Sequence, residues 1–192
     1  MRRSRHAIEI FLQPGEIYFG DRNTRIRTVL GSCVAATFWH PRQKIGGMCH
    51  YMLGKRPGRQ SCEEINGAVD GALDGVLNGK YADEALRLLL REIDSVGGNP
   101  REYEVKLFGG GNMFVQRKTG ANRSINVADD NVVAGRELLA RYGFAILAEH
   151  LGGHGHRQVI FEVSTGDVWV RKHRVMEIKR AGSDNELDAE AR

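Results

Sequence analysis

The chain has 192 residues, 41% of them hydrophobic and 27% charged, with a net charge of +4. That is enough for one domain with its own core and little for two, and the composition is that of a soluble globular protein. Lysines and arginines are scattered rather than gathered on one element, with no recognition-helix or aromatic-stacking signature, so no nucleic-acid partner is expected.

In chain order, the basic opening from Met1 to His6 leads into no apolar stretch and is not a secretory signal. Residues Ala7 to Leu12 alternate as a strand, and Pro14-Gly15 turns the chain. Thr28 to Leu30 is a short β run ending at Gly31-Ser32. Val34 to Trp39 and Ile45 to Leu53 read as strands joined by the turn His40 to Gln43. Gly54 to Ser61 is a polar loop, and Glu63 to Gly79 is Gly-rich. The stripe Ala85, Leu86, Leu89, Leu90 and Ile93 predicts a helix over Asp83 to Val96, stopped by Gly97-Gly98-Asn99-Pro100. Tyr103 to Phe108 is a strand, followed by the loop Gly109 to Asn112. Asp129 or Asp130 caps a second helix running to Tyr142, with Gly143 after it. Phe144 to Ala148, Val159 to Val163 and Val168 to Arg171 read as strands, the last two a hairpin turned at Ser164 to Asp167. No repeat and no linker is visible. The expectation is one α+β domain over residues 1–180, with mainly antiparallel β-sheets and helices packed on one side (α/β/β-type layers). A polar, acidic tail at 181–192, frayed or disordered, would follow. No stretch approaches the roughly 20 apolar residues that span a bilayer, so the protein is expected in the cytoplasm and not inserted in a membrane.

Three cysteines, Cys33, Cys49 and Cys62, without a CxxC pair argue against a disulfide framework and a zinc knuckle. A catalytic cysteine needs a base, because a thiol is mostly protonated at neutral pH. The hairpin offers one. If His40 to Gln43 is a four-residue loop, Trp39 faces Lys44, and continuing down the ladder brings Cys33 directly opposite His50, with Cβ atoms about 4.5–5.5 Å apart. Ala35 and Gly46 would share that face and leave room for a substrate, while Cys49 and Tyr51 would point the other way. Gly31 and Ser32 allow a sharp turn that aims backbone N–H groups at a developing oxyanion. A Cys/His pair on a hairpin is more often two buried core residues, and here a family resemblance reverses that preference.

The segments Thr28 to Ala35 (TVLGSCVA) and Ile45 to Leu53 (IGGMCHYML) resemble the signature of the CheD family. The resemblance continues through the Asp83 to Val96 helix, through Lys106 to Met113 (KLFGGGNM), and through Gly152-Gly153 with Arg157, Val159, Phe161, Gly166 and Val168. It spans the chain from about Phe11 to Lys172. It implies Cys33 as nucleophile and His50 as its partner. The position six before the cysteine, often threonine in the family, is Arg27, which makes Thr28 the candidate assisting residue. His156 stands where a glycine is common, and the usual Asp near His150 is replaced. Gly110 and Asn112 join Gly31 and Ser32 as candidates for a substrate or oxyanion loop.

The resemblance implies hydrolysis of glutamine side-chain amides in methyl-accepting chemotaxis receptors through a cysteine thioester, with no cofactor and no metal. The receptors' cytoplasmic helical region would be the partner, with a CheC-like phosphatase as a second. A non-catalytic regulatory module binding those same proteins is the competing reading, and the intact Cys33/His50 pair argues against it. Gly109-Gly110-Gly111 is not followed by a P-loop lysine. His150, His154 and His156 lack the third-ligand context and supporting shell of a zinc site.

Overall fold

In the computed structural model residues 8–57, 77–113 and 126–173 are described. Cys62, the end of the polar loop, most of the Gly-rich stretch and the acidic tail lie outside them.

Among the described residues there are nine strands and two α-helices. The strands are β1 (Ile8–Phe11), β2 (Ile17–Gly20), β3 (Thr24–Leu30), β4 (Val34–His40), β5 (Ile45–Tyr51), β6 (Glu104–Gly109), β7 (Ile146–Leu151), β8 (His156–Glu162) and β9 (Val168–His173). The helices are α1 (Ala82–Ser95) and α2 (Val127–Arg141). They make a central sheet in the order β2-β5-β4-β6-β7 and an outer sheet in the order β1-β3-β8-β9. Both sheets are mixed: β1 runs parallel to β3 and β6 to β7, and the other pairings are antiparallel. Among the described residues no helix is long and apolar enough to cross a membrane.

Two cores account for the three layers. Val34, Ala36 and Phe38 of β4, with Cys49 and Tyr51 of β5, face the helices and pack on Leu86, Leu89 and Ile93 of α1 and Leu138 and Leu139 of α2. Their neighbours Ala35, Trp39 and Met48 face the outer sheet and meet Ile26, Leu30, Val159 and Phe161. Burial on both faces explains why β4 is buried at every position and reads as a continuous apolar run. The first helix buries the stripe seen in the sequence and ends at Gly97 (φ 67°), where Gly98 N–H donates to the Ile93 carbonyl at 2.9 Å. The second ends in the same way at Gly143, with Phe144 N–H on the Leu139 carbonyl. Its N-cap is Asn126, so Asp129 and Asp130 lie in its first turn, where their charge suits the helix dipole.

The hairpin register differs from the expected one. The loop is Pro41 to Lys44, one residue later than read from the sequence, and His40 pairs with Ile45. Lys44 takes a left-handed conformation (φ 57°), its N–H donates to the His40 carbonyl at 2.9 Å, and its ammonium lies over the Trp39 ring. A Pro-initiated turn closed by one left-handed residue sets this register. His50 therefore stands opposite Ala35, not Cys33. The slip moves both strands' partners by one each, so the parity of the ladder survives. Cys33, two residues before Ala35, packs into the same intersheet core as Ala35.

Candidate active site

His50 sits near the end of β5, and its side chain is buried. The segment from Leu12 to Glu16 clasps its backbone: Gly15 N–H donates to the His50 carbonyl at 2.7 Å, and His50 N–H donates to the Glu16 carbonyl at 3.0 Å. The ring reaches across to the outer sheet. Thr28 occupies a buried position of β3, and its Oγ1 lies 2.8 Å from His50 Nδ1 and 2.9 Å from the Leu12 carbonyl oxygen. A carbonyl only accepts, so the one hydroxyl proton of Thr28 goes to Leu12, and Oγ1 accepts from Nδ1–H. That assigns the tautomer and leaves the lone pair on Nε2, which is buried without a partner among the described residues. Burial pushes the imidazole down to about 4, opposed by the Leu12 backbone and the charge of Glu16.

Cys33 lies immediately before β4 and is half-buried. Its carbonyl accepts from Gly110 N–H at 2.8 Å, and the Gly31 carbonyl accepts from Gly111 N–H at 2.8 Å. Two loops distant in sequence are thus locked together at Cys33. The lock requires glycine. Gly110 has φ 63°, and a Cβ there would stand 2.2 Å from Val132 Cγ2. The Gly109 to Gly111 run is therefore a close-packing device, which accounts for it without a phosphate. Burial raises the Cys33 thiol above its ordinary value. Cys49, fully buried on the helix-facing side, is pushed up to about 12.

Of the residues singled out from the sequence, Thr28 and His50 are in direct contact, and Cys33 shares their intersheet layer. Gly31 and Ser32 immediately precede Cys33. The Gly110 N–H is used by the Cys33 carbonyl and the Asn112 N–H by the Gly153 carbonyl at 2.7 Å, so these two amides shape the loops rather than face a substrate. The histidines weighed as a zinc set are dispersed: His150 Nδ1 accepts from Arg157, and the His156 ring stacks on His173.

The sequence pointed to Arg157 only as part of the family resemblance and gave it no role. It is fully buried and has no carboxylate among the partners recorded for it. Its guanidinium donates to His150 Nδ1 at 2.9 Å, to the Gly109 carbonyl at 2.5 Å and to the Gly152 carbonyl. Inward alternation along β8, with Arg157, Val159 and Phe161 buried, was the signal available. Arg157→Leu is expected to strand both carbonyls at about 1–3 kcal/mol each, lowering the urea midpoint. Arg157→Lys should recover little, because an ammonium cannot reproduce the planar fork.

Comparison with known proteins identifies the family of the chain. The family model for CheD chemotactic sensory transduction matches residues 71–172, which carry Gly110, Asn112 and Arg157. A protein of Pseudomonas syringae pv. tomato named probable chemoreceptor glutamine deamidase CheD is 46% identical over 178 residues, covering 93% of this chain and 96% of its own length. One from Dechloromonas aromatica, named probable chemoreceptor glutamine deamidase CheD 3, is 45% identical over 84% of this chain and 86% of its own. One from Albidiferax ferrireducens, named probable chemoreceptor glutamine deamidase CheD 2, is 40% identical over 96% and 97%. The first and last of these alignments are too long to leave out the stretch from Thr28 to His50. With a family model matched over residues 71–172 and relatives matched over nearly the full chain, the chain belongs to the CheD family.

Proposed function

We propose that this protein hydrolyses the side-chain amide of glutamine in methyl-accepting chemotaxis receptors, leaving glutamate and releasing ammonia. The observation that carries the reading is the relay Leu12–Thr28–His50, which presents an unprotonated Nε2 on the layer that also holds Cys33. Burial disfavours both charged forms, so the resting pair is a neutral thiol and a neutral imidazole. Attack and proton transfer are then coupled: Sγ adds to the amide carbon as His50 Nε2 takes the thiol proton. The backbone N–H groups of Ser32 and Cys33, the latter lying against its own thiol, are the candidates to receive the oxyanion. The imidazolium returns its proton to the departing nitrogen as the C–N bond breaks, giving ammonia and a thioester. Water then attacks with His50 as base, and glutamate leaves as the thiol is restored. A free-thiol nucleophile stays reduced in the cytoplasm, which supports that location for the reaction. Pairing with a CheC-like phosphatase belongs to the same proposal, and co-elution of the two purified proteins tests it.

Mass spectrometry of a receptor cytoplasmic fragment, incubated with and without the protein, tests the activity. Glutamine-to-glutamate conversion at defined sites is expected. An unchanged receptor would leave the non-catalytic binding reading in its place. Thr28→Val bears on the relay. It should lower kcat about 10- to 100-fold, less than loss of the acid–base group itself, because Nδ1 loses the partner that orients the ring. Thr28→Ser should restore most of the activity, as it keeps the hydroxyl.

A further inference from the structure

Asn131 lies on α2 and is fully buried. Its Nδ2 donates to the Ser32 carbonyl at 3.0 Å and to the Met52 carbonyl at 2.7 Å. Two carbonyl oxygens around one terminal atom identify that atom as the nitrogen. The two carbonyls belong to the two arms of the site: Ser32 immediately precedes Cys33, and Met52 follows His50 by two. The β4–β5 ladder ends at the pair Val34–Tyr51. The next pair would be Cys33 and Met52, but the strands part there, and the Asn131 amide stands in the gap and bonds both ends. The helix is pinned at this depth by its neighbours. The Tyr51 hydroxyl donates to the Asn131 carbonyl at 3.0 Å, and Gly135 lies so close that a Cβ there would stand 2.2 Å from that hydroxyl.

We infer that Asn131 is a positioning residue for the Cys33/His50 pair: one side-chain amide replaces the missing ladder bonds and sets the spacing between the nucleophile-bearing and base-bearing strand ends. The inference rests on the catalytic reading given above. It makes Asn131 act through the pair and not on the substrate.

The experiment uses the full chain and compares Asn131→Asp, which keeps the shape and removes both donors, with Asn131→Ser, which keeps one donor. Each is assayed for receptor deamidation, in the wild-type and His50→Ala backgrounds, beside an unfolding curve. A small misplacement of reacting groups costs up to about 100-fold, so kcat should fall about 10- to 100-fold with KM nearly unchanged. The order of loss should be Asp beyond Ser. In the His50→Ala background the same substitutions should have little further effect, because the spacing they disturb no longer serves a proton transfer. Equal losses in both backgrounds, full activity in a folded Asn131→Ser protein, or failure of both variants to fold would each overturn the positioning role. Cys33→Ala, run alongside, keeps the two levels apart. An active Cys33→Ala sinks the catalytic reading itself. An inactive one beside a fully active Asn131→Ser sinks this inference alone.

Discussion

Cys33→Ala is expected to lower the rate of receptor deamidation by about 10⁴-fold or more, the scale of losing a nucleophile, while the unfolding midpoint moves little. The side chain is half-buried beside the intersheet core, so its replacement by a small apolar one costs within about 1 kcal/mol. The other cysteines provide the contrast. Cys49 is sealed in the helix-facing core with its thiol pushed up to about 12, which makes it a poor nucleophile, and Cys49→Ala should keep most of the activity. Cys62→Ala should do the same. An alkylating reagent that inactivates the enzyme should be found on Cys33 by peptide mapping. Inactivation with the label on Cys62 and none on Cys33 would refute the assignment.

His50→Ala is expected to reduce kcat by about 10²- to 10⁴-fold, the usual range for removing a general acid–base. The pH dependence gives a second reading of the same residue. In the proposed mechanism His50 works as a neutral base, and burial holds its imidazole down to about 4. The kcat/KM profile should therefore stay level as the pH falls from 7 to about 5 and drop only as His50 is protonated near 4, as an apparent value of the coupled pair with Cys33. An acidic limb near 6.5 would mean an imidazole exposed to water. Stability follows the same shift with a definite sign. The folded value lies below the ordinary 6.5, so the unfolded chain takes up the proton first as the pH falls. Stability present above 6.5 is lost progressively down to about 4, by up to about 3 kcal/mol. That component of the denaturation profile should vanish in His50→Ala.

The face on which the site is built was legible from the sequence, and its exact pairing was not. Alternation along Val34 to His40 and Ile45 to Tyr51 sorts Cys33 and His50 from Cys49 and Tyr51, and it survives because the loop kept its four residues and moved by one on each strand, which preserves parity. The register itself depended on a left-handed lysine, and Lys44 carries no glycine-like signal for that conformation. The strand that supplies Thr28 was read too short. Arg25 and Arg27 look like loop residues, yet they alternate with the buried Thr24, Ile26 and Thr28. The Thr28–His50 contact has no local signature, because it arises where two sheets stack. Nor has Asn131, whose neighbours Asp129 and Asp130 are exposed and make the whole turn read as surface. The short β2 went unread because four residues after a turn give too little alternation to register.

The outer sheet carries a consequence for how the enzyme is made. The strand holding Thr28 lies between β1, which is synthesised before it, and β8, which is synthesised long after it. Arg25 on this strand pairs with Glu162, 137 residues away in sequence. At about 5–20 residues per second, translation separates those two by roughly 7–30 s. During that interval a nascent chain already contains Cys33, the proposed nucleophile, and His50 but not the strand that pairs along Thr28. On the proposed mechanism activity is thus deferred until β8 is made, since a chain stalled before it holds the central sheet and both helices without the strand that pairs along Thr28.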